Sequence, residues 1–243
     1  RLSPGETVTQ VGVTQEGDGS LRLGAAAPLS SVLAFPILAT NFPILAQAGS
    51  LIGATQIQNR ASIGGNLCNA APSADTVPGL ICLGAWVVVA GPGGRRRVAV
   101  EDFCTGPGQT VLGPGELLVE VVVPRPPARS AAAYLRFTPR QEMDLTVAGV
   151  ASLLVLDGRG RISRARVALS AVAPTPLRAR RAEAVLEGQR PAVDLLERAA
   201  QAAAAECSPI SDVRSSAEYR RHLIAVLAGR TLRACLEALS AGA

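Results

Sequence analysis

The chain has 243 residues, which is long enough for one large or two ordinary domains, each able to bury a core. Hydrophobic residues make up 48% and charged residues 18%, and no apolar run approaches the roughly 20 residues of a membrane span, so we expect a soluble globular protein. The net charge of +5 comes from arginine without any lysine, and only 3% of the residues are aromatic. Arginine also serves ion pairs, and aromatic stacking platforms are scarce, so we expect no nucleic-acid partner.

The five cysteines stand singly along the chain, so their spacing indicates neither a zinc site nor an iron–sulfur cluster. Four of them lie among small or apolar residues, which is typical of buried free thiols in a reducing cytoplasm. The opening RLSPGETVTQ lacks the pattern of a secretory signal peptide, so we predict a cytoplasmic protein. Because it begins with arginine, we also expect that a further N-terminal piece belongs to the protein.

The first third of the chain predicts a hairpin followed by short helices. Residues 7–13 and 21–23 have the composition of short strands around a polar turn. From residue 28 to 57 the apolar residues follow helical spacing, which Pro36 and Pro43 interrupt. We therefore predict two or three short helices, which lead into a segment that begins at residue 59.

Residues 59–75, NRASIGGNLCNAAPSAD, form a segment that we call the glycine segment. Gly64 and Gly65 lack a Cβ atom, so a loop could take positive φ there and bring backbone N–H groups close to a bulky anion. Short polar side chains surround them, which suits phosphate or ribose hydroxyls, and Asp75 could accept hydrogen bonds from sugar or ribitol hydroxyls. A plain tight turn is the interpretation that composition and turn chemistry favour for the glycine pair. The pattern by itself therefore leaves a cofactor loop and a structural turn open.

The middle of the chain predicts more sheet and then a domain boundary. Residues 77–83 are apolar and predicted to be buried, and residues 86–90 and 95–100 flank a Gly-Pro-Gly-Gly turn as in a hairpin. Residues 117–123 form a β-branched run that ends before proline. The Pro- and Arg-rich residues 124–130 then break the composition, so we place one domain at residues 1–124 and a second at 131–243.

The second domain is predicted to combine a sheet with helices. Residues 145–156 and 161–173 are long strand-like runs joined by an Asp-Gly-Arg-Gly turn. Helical patterns follow at residues 177–186, 193–205 and 215–239, and Ser215 with Glu218 has the spacing of a capping box. The predicted fold class is therefore α+β.

Three motifs in the same order as a known family support a more specific interpretation. The glycine segment from Ser62 onward resembles the TIGGN or SLGGN loop in the FAD-binding subunits of molybdenum hydroxylases, the group of xanthine dehydrogenase and aerobic carbon monoxide dehydrogenase. The residues YLRFTPRQEMDL at 134–145 resemble the start of that family's C-terminal domain, with Arg136 where the family has a lysine. The residues PISDVRSSAEYRR at 209–221 are similar to the family's D-x-R-x-S-x-x-Y-R run.

The resemblance implies a fold and a set of cofactor-binding residues. The fold is a FAD-binding domain of the vanillyl-alcohol-oxidase-like type without its N-terminal part, followed by a smaller C-terminal domain like that of the carbon monoxide dehydrogenase flavoprotein. The candidate FAD contacts are Ser62, Gly64, Gly65, Asn66, Cys68, Asn69, Asp75, Leu117, Leu118 and Arg136. The family's first, AGGT-like phosphate loop is absent from these 243 residues, so we expect them alone to bind FAD weakly.

The resemblance also implies a function in electron transfer. In the family, iron–sulfur clusters on a small partner subunit take electrons from a molybdopterin centre on a large subunit and pass them to FAD on the flavoprotein subunit. The flavin then passes the electrons to NAD⁺, quinone or oxygen. We find no arrangement of residues that hydrolytic chemistry would require, and we assign no catalytic residue or metal ligand to the chain. Two alternatives remain open, a stand-alone flavin reductase and a scaffold subunit without flavin.

Three further interpretations concern charged or titratable residues in the second domain. Arg140 and Asp144 could form an ion pair or lie beside the flavin. His222, which is the single histidine, is better interpreted as a solvated or capping residue than as a base. Arg214, Arg220 and Arg221 are predicted to form a structural or inter-subunit face.

Overall fold

A computed structural model describes residues 12–140 and 143–241. Most of the strand predicted at residues 7–13 lies outside the described residues. The described part of the predicted hairpin consists of β1 (Val13–Gln15) and β2 (Leu21–Gly24), which pair antiparallel. Their pairing opens the first sheet.

Among the described residues, the first sheet consists of five antiparallel strands, which include β3 (Trp86–Gly91), β4 (Gly94–Ala99) and β7 (Leu117–Val123). Their order is β1-β2-β7-β3-β4. The predicted second hairpin is confirmed, because β3 (Trp86–Gly91) and β4 (Gly94–Ala99) pair from Trp86 with Ala99 to Gly91 with Gly94. A small hairpin of β5 (Cys104–Gly106) and β6 (Gln109–Thr110) follows, and β7 (Leu117–Val123) returns to the centre of the sheet.

Short helices share a hydrophobic core with this sheet, and proline sets where two of them begin. The described helices are α1 (Leu29–Leu33), α2 (Pro36–Asn41), α3 (Pro43–Ser50) and α4 (Thr55–Gln58). Pro36 and Pro43 each occupy the first turn, where the missing N–H costs no helical hydrogen bond. The predicted interruptions are confirmed, although they produce four helices rather than two or three.

The glycine segment is helical at its centre, which corrects the prediction of a loop. Residues Ile63–Cys68 form α5, and Thr76–Leu83 form α6, every residue of which is buried. Glycine disfavours a helix by about 1 kcal/mol relative to alanine, so local propensity opposes α5. The packing described below outweighs that propensity.

The second sheet has four antiparallel strands in the order β11-β10-β9-β8, with bounds Ser130–Phe137 for β8, Ala148–Leu156 for β9, Ile162–Ser170 for β10 and Leu177–Arg178 for β11. Three helices lie in the regions predicted from the sequence, namely α7 (Arg180–Leu186), α8 (Val193–Glu206) and α9 (Ala217–Ala241). The prediction that the first of them begins at residue 177 is wrong, because residues 177 and 178 pair with β10 as β11. The predicted mixture of helix and sheet is confirmed.

Both faces of the second sheet are covered, and the helices on one face come from the first half of the chain. Helices α3 and α6 pack against one face, where Ala151 and Leu153 belong to the same core as the first sheet. Helices α7 and α9 pack against the other face around Val150 and Leu154, and α8 packs on α7 and α9. Strand β9 is buried on both sides for this reason, and the domain boundary at residues 124–130 stays a prediction.

The start of α9 differs from the predicted capping box by one residue. The Ser216 hydroxyl, rather than that of Ser215, accepts from the backbone N–H of Tyr219 at 3.1 Å. Arg220 then enters the interior and donates to the carbonyls of Val147 at 2.9 Å and Ala171 at 3.1 Å, and to Asp212 at 2.8 Å. This arginine therefore has a structural position.

Candidate functional site

Helix α5 begins with a side-chain cap at Ser62. Its Oγ atom accepts from the backbone N–H of Gly65 at 3.0 Å, which satisfies one of the N–H groups that the first turn of a helix leaves unpaired. Gly64 and Gly65 both lie in this turn and neither has a positive φ. The prediction that these glycines allow a left-handed loop conformation is therefore wrong.

The two glycines are needed for different reasons. A Cβ atom on Gly64 would lie 2.4 Å from the carbonyl oxygen and 2.7 Å from the Cβ of Ala25, so only glycine lets α5 approach the turn after β2. A Cβ atom on Gly65 would meet only Ser62 Oγ at 3.1 Å, and Gly65 is exposed. Gly64 therefore fixes the position of α5, whereas Gly65 leaves open space beside its backbone.

The rest of α5 presents polar groups on the same side of the fold. The Asn66 side-chain oxygen accepts from the Thr76 hydroxyl at 2.6 Å, which ties α5 to the start of α6 and leaves the amide nitrogen able to donate. Cys68 and Asn69 are exposed. An open backbone with short donors around it fits a bulky polar ligand with phosphate and hydroxyl groups, which is the chemistry of FAD.

Asp75 lies at the end of the glycine segment and is buried among donors from the second half of the chain. Its Oδ1 atom accepts from the Tyr134 hydroxyl at 2.7 Å and from the Thr146 hydroxyl at 2.6 Å. Its Oδ2 atom pairs with the Arg136 guanidinium at 2.7 Å. We call Asp75, Tyr134, Arg136 and Thr146 the Asp75 cluster.

The Asp75 cluster is almost inaccessible to water. The side chains of Arg136 and Asp75 are 6% and 10% exposed, and a second guanidinium nitrogen of Arg136 donates to the Leu51 carbonyl at 2.9 Å. Burial first, and then the nearby Asp75 carboxylate, raise the pKa of the Tyr134 hydroxyl well above its usual range, so Tyr134 remains a neutral donor. Two predicted cofactor contacts, Asp75 and Arg136, thus bind each other in the structure.

Leu117 and Leu118 begin β7, against which α5 packs. Leu117 is 64% exposed, whereas Leu118 is 8% exposed. Of the two, Leu117 therefore offers a side chain to a ligand, and Leu118 belongs to the core of the first sheet.

A cleft of about 290 Å³ lies between the end of the glycine segment and the second half of the chain. Ser73 lies on one side and Thr146 of the Asp75 cluster on the other. Most of its other lining residues are apolar, including Pro72, Pro107, Leu145, Ala173, Pro174 and Ile210. The cleft therefore lies beside the Asp75 cluster at Thr146.

The other candidate residues occupy the surface. Arg140 and Asp144 form an ion pair with 3.6 Å between Nε and Oδ2, in which the Arg140 side chain is exposed and that of Asp144 is largely buried. The predicted ion pair is therefore present, and a role of these residues beside the flavin stays a prediction. Gln141 and Glu142, between them in the family-like motif, lie outside the described residues. His222 is exposed on α9 and stacks on Tyr219 with 6.3 Å between ring centroids, so it is a surface residue as predicted.

Cys68 permits a chemical test of the prediction that it contacts the cofactor. It is the one exposed thiol of the five, and partial burial raises its pKa. We therefore expect iodoacetamide to label Cys68 first, with a rate that still rises above the ordinary thiol pKa of about 8.5, because the thiolate reacts. FAD should slow labelling of Cys68 and leave that of half-buried Cys104 unchanged. Equal labelling with and without FAD would remove Cys68 from the cofactor contacts.

Two family models match the chain in the order of its two halves. The FAD binding domain in molybdopterin dehydrogenase matches residues 6–126, and the CO dehydrogenase flavoprotein C-terminal domain matches residues 133–235. The first match includes α5, Asp75 and Leu117, and the second includes Tyr134, Arg136 and Thr146. The Asp75 cluster therefore joins residues of both matched regions.

Similar proteins include the xanthine dehydrogenase FAD-binding subunit of Escherichia coli O157:H7, 33% identical over 91% of this chain and 76% of the relative. The carbon monoxide dehydrogenase medium chain of Afipia carboxidovorans is 35% identical over the same shares. Among solved structures, carbon monoxide dehydrogenase from Hydrogenophaga pseudoflava superimposes with a TM-score of 0.89 and 34% identity, over 94% of this chain and 78% of that one.

The fold and the matched regions are those of a flavoprotein subunit of an oxidoreductase. The chain belongs to the family of FAD-binding medium subunits of the xanthine dehydrogenase and carbon monoxide dehydrogenase type. The resemblance inferred from the sequence motifs and the prediction of FAD as cofactor are thus confirmed. Within residues 12–140 and 143–241, no helix is long and apolar enough to cross a membrane, and no cluster of three potential metal ligands occurs.

Proposed function

We propose that this chain holds FAD along α5 and the Asp75 cluster and relays electrons from a partner's iron–sulfur clusters to an external acceptor. The observation that carries the proposal is the open backbone at Gly65, which lies in the region matched by the family's FAD-binding domain. The bound flavin would supply the redox chemistry, as cofactors generally do. The chain's own residues bind and orient it.

Each part of the site has a distinct role in this proposal. Ser62 caps α5 and, with Gly64, fixes its first turn. The missing side chain of Gly65 leaves space for the phosphates beside the backbone, and the Asn66 side-chain amide nitrogen can donate to the phosphates or the ribityl chain. Asp75 and Arg136 lie deeper, where a carboxylate and a planar guanidinium can hold hydroxyl and carbonyl groups. Arg136 would do so with a geometry different from that of the family's lysine.

The partners follow from the family. We propose an iron–sulfur small subunit that delivers electrons and a molybdopterin large subunit that oxidises the substrate, as one cytoplasmic hetero-oligomer. The names of similar proteins, such as a carbon monoxide dehydrogenase medium chain, support a place as one chain of several. The cleft beside Ser73 and Thr146 gives an external acceptor, whether NAD⁺, quinone or oxygen, a route to the site.

The visible absorption spectrum of the native complex tests this function. We expect both flavin and iron–sulfur bands, and mass spectrometry should identify two partner chains in the same preparation. Reduction by the complex's substrate should bleach both sets of bands. Flavin without iron–sulfur bands in an active single chain would favour a reductase instead, and the absence of flavin would favour a scaffold.

A further inference from the structure

We propose that Tyr134 and Thr146 are positioning residues of the flavin site, which orient the Asp75 carboxylate so that one of its lone pairs remains for a cofactor hydroxyl. This inference rests on the proposed function, because it assumes that FAD binds beside Asp75. Neither residue belongs to the glycine segment. Their role follows from the contacts that they make with it.

The three donors of the Asp75 cluster occupy different positions on the carboxylate. Tyr134 and Thr146 both donate to Oδ1, at 2.7 and 2.6 Å, whereas Arg136 donates to Oδ2 at 2.7 Å. A carboxylate offers about four lone-pair sites, two on each oxygen. Among the described residues these donors therefore fill Oδ1 and leave one acceptor site on Oδ2, so the tyrosine and threonine determine which oxygen can face a ligand.

The burial of Tyr134, Thr146 and Asp75 holds their side chains in this arrangement. Tyr134 and Thr146 are each 3% exposed, and Asp75 is 7% exposed, so water cannot easily replace either hydroxyl. The backbone N–H of Tyr134 also donates to the Gln47 side chain of α3 at 3.2 Å, which anchors β8 to the first half of the chain. The second half of the chain thus holds the end of the glycine segment in place.

Gly149 provides the room that these hydroxyls require. A Cβ atom at this position of β9 would lie 2.4 Å from Ser170 Oγ and 2.9 Å from the Tyr134 hydroxyl oxygen. A side chain there would displace Tyr134 from Asp75. Glycine at position 149 therefore leaves the space that the Tyr134 hydroxyl needs to reach Asp75.

A matched control for Tyr134 lies on the neighbouring strand β9, on the opposite face of the sheet. Ser152 of β9 shares a buried hydrogen bond of 2.7 Å with Thr231 of α9, in the core that faces away from Asp75. Ser152→Ala and Tyr134→Phe each remove one buried hydroxyl and little volume. Tyr134→Phe should reduce stability more than Ser152→Ala, because the tyrosine hydroxyl donates to a charged group, and only Tyr134→Phe removes a hydroxyl that orients Asp75.

The test measures FAD affinity by fluorescence quenching in the full chain, purified within its native complex and stripped of flavin. We expect Tyr134→Phe and Thr146→Val each to weaken FAD binding about tenfold, which is typical of one lost hydrogen bond to a charged group. Ser152→Ala should bind FAD like the wild type. Hydrogen exchange at residues 69–75 in the flavin-free protein should be faster in Tyr134→Phe than in Ser152→Ala.

The outcomes separate this inference from the proposed function. If the wild type binds FAD and Tyr134→Phe binds it equally well, the positioning role is wrong. An equal loss of affinity in Ser152→Ala would also overturn it, because a general loss of stability would then explain the result. If the wild type binds no FAD, the proposed function fails, while the exchange rates at residues 69–75 still decide whether Tyr134 orders the segment.

Discussion

Gly64→Ala is expected to destabilise the protein, although alanine is normally the better helix former. The new methyl group would overlap the Ala25 backbone at 2.4 to 2.8 Å, and backbone atoms cannot turn aside as a flexible side chain can. Overpacking of this kind costs about 1 to 3 kcal/mol, which corresponds to roughly 2 to 12 °C in Tm for a chain of this size. Thermal unfolding followed by circular dichroism measures the loss.

The neighbouring variant Gly65→Val should keep its thermal stability and lose its flavin. Valine is at least as compatible with a helix as glycine, and the site is exposed, so we expect a Tm within about 2 °C of the wild type. Its branched side chain would fill the open space beside the backbone, so the native complex should purify with little or no flavin. Full flavin stoichiometry in this variant would show that FAD does not bind along α5.

The elements that the sequence predicts well are those whose signal is local. The hairpin of β3 and β4 follows from strand-like runs on both sides of a glycine-rich turn, and the breaks before α2 and α3 follow from Pro36 and Pro43. Helix α5 could not be predicted in this way. It depends on contact between Gly64 and Ala25, which lie 39 positions apart and share no local pattern.

In the candidate site, too, the sequence reveals the local motif but not the contacts between distant residues. The motif around Gly64 and Gly65 identifies the segment and its family, but it does not show which glycine packs and which one leaves space. Asp75 is recognisable as an acceptor, whereas its partners Tyr134 and Thr146 lie 59 and 71 positions away. No spacing rule links such positions, so the Asp75 cluster becomes visible only in the folded chain.

Asp75→Ala is expected to lower the free energy of unfolding strongly. Asp75→Ala would leave the Arg136 guanidinium buried without its partner and the Tyr134 hydroxyl without its acceptor. Breaking a buried ion pair on one side typically costs about 3 to 5 kcal/mol. We therefore expect a much larger fall in the free energy of unfolding than the loss of one cofactor contact would cause, and flavin should be lost as well.

Two further variants make the Asp75 prediction specific. Asp194→Ala removes the acceptor of an exposed ion pair with Arg198 and should cost at most about 0.5 kcal/mol. The double variant Asp75→Ala, Arg136→Met should recover part of the stability lost in Asp75→Ala, because no charge then remains buried alone. Urea unfolding of the flavin-free proteins compares all of them without any contribution from the cofactor. If Asp75→Ala unfolds at the same urea concentration as Asp194→Ala, the carboxylate contributes nothing to the fold, and its importance would lie in binding FAD alone.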